Sequence, residues 1–118
     1  MANKYINVPS LVSVSTITDV YTVPTATTSV IRSISVYNTD SSGMDVILSV
    51  YDNSATTTYA YDRTTSLAAT TKFEFLKPEN SSVLVLEESD RLQVTCSTTG
   101  GLNIMLSILE ISRSYCHL

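Results

Sequence analysis

The chain carries few groups able to do acid–base, nucleophilic or metal chemistry. Its one histidine, His117, is the penultimate residue, and its two cysteines are Cys96 and Cys116. A general base works only when it is held in geometry, and a chain end does not hold one. Cys–His or Ser–His–Asp catalysis through Cys116-His117 is therefore not expected. A zinc site needs at least three nitrogen or sulfur ligands, more than one histidine and two distant cysteines supply. Cys96 falls on the apolar side of an alternating stretch and reads as a buried free thiol. Carboxylates are more numerous. Glu87-Glu88 with Asp90, and Asp40 and Asp45 around Gly43, could form a calcium site or an acid pair. Calcium loops space their oxygen ligands more regularly, so both clusters read as solvated turns. The expectation is a non-enzymatic chain with no cofactor and no metal.

A second group is aromatic. Tyr51-Asp52 and Tyr59-Ala60-Tyr61-Asp62 bring tyrosines and aspartates close across a turn. Such rings could cover core edges, stack on a sugar while the carboxylates accept its hydroxyl hydrogens, or form a protein interface, where tyrosine gives large area at low entropy cost. Tyr51, Tyr59 and Tyr61 are candidate interface residues on this basis. Tyr5 and Ile6 near the start and Tyr115 near the end join them, because their segments lack the apolar periodicity to fold alone.

The elements that must position these groups are strands. Leu92, Val94 and Cys96 alternate with Arg91, Gln93 and Thr95, a period of two. The run Leu102–Ile111 is apolar on nearly both faces, as for a strand covered on both sides. Gly100-Gly101 between them predicts a hairpin with the glycines at positive φ. Val30, Ile34 and Val36 share a face with Arg32 as a misfit, and Met44, Val46, Leu48 and Val50 form another alternating set. Gly43 is the natural positive-φ residue of the turn before it. Phe73 and Phe75 share a face, and Val83–Leu86 reads as a short buried strand. One helical turn fits Ser66–Ala69. Eight or nine strands with turn signals about every ten residues indicate a sandwich or barrel. The fold expected is an all-β, antiparallel two-sheet β-sandwich, jelly-roll-like, with an immunoglobulin-like sandwich as the alternative. Residues 1–10 read as an N-terminal arm or edge strand stopped by Pro9, residues 11–112 as the domain and residues 113–118 as a tail.

Composition narrows the function. The 118 residues are 43% hydrophobic and only 15% charged, with a net charge of −4. Lys4, Arg32, Arg63, Lys72, Lys77, Arg91 and Arg113 are scattered singly, whereas nucleic-acid binding needs clustered cations. Neither nucleic acid nor an anionic membrane is an expected partner. The first residues lack the basic start and apolar run of a signal peptide, so synthesis in a cytoplasm without secretion is expected.

Val20-Tyr-Thr-Val-Pro24, followed by Thr28-Ser-Val-Ile-Arg-Ser-Ile-Ser-Val-Tyr-Asn-Thr39, resembles small virion structural proteins of tailed bacteriophages. Leu84-Val-Leu-Glu-Glu-Ser-Asp-Arg-Leu-Gln-Val94, an acidic turn before a Leu-x-Val strand, adds to the likeness. Thr25-Ala26 departs from it where a glycine-containing turn is expected. The resemblance implies a β-sandwich particle component located in the virion: a capsid decoration (cement) subunit bound to the major capsid protein, or a neck or tail component. It transfers no catalytic residue. Strands rich in Ser, Thr and Val with few charges leave edges that a neighbour must cover. A closed homo-oligomer is expected, a trimer if it sits on the three-fold sites of a capsid. A glycan-binding domain for host adhesion built on Tyr51, Tyr59 and Tyr61 is the alternative.

Overall fold

The computed structural model describes residues 2–12, 15–77, 82–97 and 101–112. They form nine strands: β1 (Ala2–Val12), β2 (Thr18–Thr22), β3 (Thr27–Asn38), β4 (Met44–Asp52), β5 (Thr57–Leu67), β6 (Lys72–Leu76), β7 (Leu84–Leu86), β8 (Arg91–Cys96) and β9 (Leu102–Ser112). One sheet has the order β1-β9-β3-β6, with β7 also pairing β3; the other has the order β2-β8-β4-β5. β7 pairs Ser29–Ile31 and β6 pairs Ile34–Tyr37, so the two lie end to end along one side of β3. Every pairing is antiparallel.

The pairs are nested in the sequence. β4 pairs β5, β3 pairs β6 and β7, β2 pairs β8, and β1 pairs β9. This is one long double ribbon rolled over itself, the jelly-roll form of a two-sheet sandwich. Alternation places one face of every central strand in the core. Ile31, Ile34, Leu106 and Ile108 of the first sheet meet Val46, Leu48, Leu92 and Val94 of the second, all at most 1% exposed.

Several expectations resolve differently. β8 and β9 do not form a hairpin: they lie in opposite sheets, and the chain between them crosses from one sheet to the other. Its ends are tied to different partners, Ser97 N–H to the Asp45 carbonyl (2.9 Å) and the Gly101 carbonyl to Thr39 N–H (3.0 Å). Periodicity shows which face a strand buries, not which strand it pairs with. Neither Gly43 nor Gly101 has a positive φ. Gly101 is packed closely instead, since a Cβ there would meet Thr39 Oγ1, which would have to move aside.

Arg32 is a misfit because it sits in a β-bulge between Ile31 and Ser33. The extra residue turns Ile31 inward and sends Arg32 to solvent, so Val30 faces out rather than sharing the face of Ile34 and Val36. No helix occurs among the described residues, and Ser66-Leu67 ends β5. β7 is not fully buried: only Leu86 is, while Val83 and Val85 are exposed. Residues 2–12 form the edge strand of the first sheet. Pro9 does not stop β1, because an edge strand can turn the position without an N–H outward.

A candidate interface on the five-stranded sheet

The outer face of the first sheet is built from the residues alternating with the core set. Tyr5 of β1 pairs Leu109 of β9, Leu109 pairs Val30 of β3, and Val30 pairs Val85 of β7. One apolar row therefore crosses four strands, exposed at its ends, Tyr5 (73%) and Val85 (54%), and half-buried at Leu109 and Val30 between them. Farther along the same face lie Leu11, Met105 and Tyr37, which border a groove of about 550 Å³. β9, expected to be covered on both sides, is covered on one: Leu102, Ile104, Leu106 and Ile108 are buried, while Met105 is 46% exposed. Charge on this face is sparse. Lys72 is 3.8 Å from Glu74. Arg32, beside Tyr5, Asn7 and Ser107, has no ion pair among the described residues.

The residues expected at an interface divide. Tyr5 is in the apolar row, but Ile6 is the inward neighbour and packs partly buried against the core. Tyr51 and Tyr59 do not converge. Tyr51 pairs Thr58 and faces outward, while Tyr59 pairs the core-facing Val50, so the rings point to opposite sides of the sheet. Tyr61 lies at a register shift of the exposed strand β5. The two-tyrosine sugar platform is thus not assembled. Tyr115, with the rest of 113–118, lies outside the described residues.

The outer face of the second sheet is occupied by its own polar groups. The Arg91 guanidinium lies 4.1 Å from the Tyr51 ring centre and 3.1 Å from Asp19, and Gln93 donates to Asp19 at 2.7 Å. Thr58 donates to the Gln93 carbonyl at 3.3 Å. The Gln93 hydrogen bond holds the Asp19 carboxyl below its ordinary 3.8; burial opposes it, and Arg91 adds to the lowering. The folded state then binds its proton less readily than the unfolded chain. The resulting stabilisation is present above pH 3.8 and is lost as pH falls through the lower folded value. Asp19→Asn should therefore flatten part of the acid limb of stability against pH, measured by urea titration between neutral pH and the acid transition. An acid limb unchanged by the substitution would contradict this assignment.

The acidic turn is also structural. Asp90 is buried and its carboxylate accepts from Asn53 N–H (3.0 Å) and Glu87 N–H (2.9 Å), while Glu88 accepts from Ala26 N–H (2.8 Å). These bonds tie the β4–β5 loop and the start of β3 to the turn before β8. A buried polar contact that the sequence analysis missed links the two sheets. Tyr21 of β2 donates to Glu110 of β9 (2.5 Å), and Ser29 of β3 lies 2.6 Å from the same phenol oxygen. Burial, with Glu110 beside it, pushes the Tyr21 phenol well above its ordinary range, so it remains a donor. The only sequence signal was a glutamate at a core-parity position of an apolar strand.

Comparison with known proteins finds no matching family model, no matching curated protein and no matching solved structure.

Proposed function

We propose that this chain is a non-enzymatic structural protein that docks on a larger protein shell through the outer face of its five-stranded sheet. A capsid decoration subunit is the placement that its resemblance to small phage virion proteins suggests. The observation that carries the reading is the apolar row Tyr5–Leu109–Val30–Val85 on a face with little charge. Isolated exposed apolar residues are ordinary, whereas a row crossing four strands is a surface for a partner. The polar groups elsewhere are engaged with one another: Asp90 and Glu88 with backbone N–H groups, Tyr21 with Glu110, and Asp19 with Gln93 and Arg91. The fitting partner is a protein surface with apolar side chains at its centre and a carboxylate placed to meet Arg32.

Co-sedimentation with particles from the source that makes the chain tests this. Val85→Lys changes an exposed side chain and should leave the melting temperature nearly unchanged. At an exposed end of the row, it should weaken particle binding by at least about tenfold, the effect of truncating or charging an interface anchor. Thr58→Lys, on the outer face of the other sheet, should bind as the parent does. Equal binding by all three proteins would refute the assignment of this face.

A further inference from the structure

Among the described residues the sandwich has four open edges, and three of them are short or shifted in register. β2 has five residues and a register shift between Asp19 and Tyr21. β5 is shifted twice against β4. The side of β3 away from β9 is divided between β6, with five residues, and β7, with three. Short strands and bulges are the usual devices that keep an edge from pairing with another chain. β1 has neither. Its eleven residues pair with β9 in unbroken register from Ala2↔Ser112 to Val12↔Leu102.

Pro9 shows which groups face the free side of β1. It pairs Met105 within this unbroken ladder yet has no N–H to give, so its position belongs to the set directed away from β9. Asn3, Tyr5, Asn7 and Leu11 share that parity. Their N–H and C=O groups line the open edge, while Lys4, Ile6 and Val8 bond to β9.

We infer that a second copy of this chain adds its β1 antiparallel to this edge across a two-fold axis at Tyr5. The edge is self-complementary in that register. Tyr5 falls opposite Tyr5, and Asn3 falls opposite Asn7 in both directions, giving three residue pairs that each exchange two hydrogen bonds. The same register joins Val85–Val30–Leu109–Tyr5 to its symmetry mate as one apolar row across both sheets. Lys4 lies opposite Ile6 of the second copy, which keeps the two Lys4 charges from facing each other. Pro9 selects this register, because centring on Asn7 would bring both prolines into the ladder and remove two donors. Pairing of identical strands in this way is isologous, so it closes at two copies rather than three. It goes beyond the shell-binding proposal and is tested on the isolated protein, so either can fail without the other.

Light scattering of the full chain should give twice its 12.9 kDa mass. Tyr5→Pro removes a donor only from the free side, at the parity that Pro9 already occupies, and should raise the dissociation constant at least about tenfold. Its melting temperature should stay near that of the parent. If that variant unfolds, a disulfide reads the register instead. Opposed residues of a hydrogen-bonded pair lie about 5.5 Å apart at Cα, inside the range a disulfide spans. In a Cys116→Ser background, with Cys96 buried, Tyr5→Cys should cross-link to dimer under mild oxidation and Leu11→Cys should not. A monomer at the highest soluble concentration, a three-fold oligomer, or equal cross-linking of the two variants would each overturn the inference.

Discussion

Leu92→Ala is expected to destabilise the domain by about 2–5 kcal/mol, the cost of removing a fully buried leucine from a core that cannot collapse onto the gap. Leu92 has no exposed surface and stands in the middle of the second sheet, opposite Tyr21 on one side and Val50 on the other. Strands on both sides fix the backbone, so the cavity should remain open and the loss should fall in the upper half of that range. Val85→Ala, on the outer face, should change stability by no more than about 0.5 kcal/mol. Denaturant titration of both variants checks the assignment of faces. A loss at Leu92 below about 0.5 kcal/mol would mean that the strand buries its other side.

Asn38→Ala should cost about 2–4 kcal/mol, because it strips partners from several backbone groups rather than from one. Asn38 is fully buried at the end of β3. Its amide nitrogen donates to the carbonyls of Ser42 (3.0 Å), Leu67 (3.0 Å) and Ala68 (3.2 Å), and its oxygen accepts from Asp40 N–H (2.8 Å). Three chain segments meet on this one side chain: the turn after β3, the end of β5 and the approach to β6. Asn38→Asp separates hydrogen bonding from size. The new carboxylate would face three carbonyl oxygens at neutral pH, so the variant should be less stable than Asn38→Ala and should recover stability as acid protonates it. Equal stability of Asn38→Asp and the parent at neutral pH would show that the amide donors do not matter.

These residues also show what was legible in advance. The jelly-roll sandwich and the core positions Leu92, Val94, Leu48, Val46 and Ile34 follow from period-two alternation, which reports burial directly. Pairing does not follow from it. The long-range choice of β2 and β4 as neighbours of β8 depends on all the strands together, so the glycine pair before Leu102 suggested a hairpin where the chain changes sheets. Bulges are invisible for the same reason: Arg32 looked like a defect in one face, and the inserted residue reversed the side of Val30. On the candidate interface, Tyr5 was legible only through its segment, which lacks the apolar periodicity to fold alone. The row it begins needed the registers of β1, β9, β3 and β7. Tyr51 and Tyr59 illustrate the converse: they are close in the hairpin, but its four-residue turn pairs Asp52 with Thr57 and so sets residues an even number apart on opposite sides.

The most direct test of the shell-docking account is to image particles purified from the source of this chain and locate the domain on them. The account predicts a β-sandwich bound to the shell, its five-stranded sheet inward and the Tyr5–Leu109–Val30–Val85 row against shell protein. The polar Asp19–Arg91–Tyr51 face would then point to solvent. Absence of the chain from purified particles, or attachment through that polar face, would contradict it.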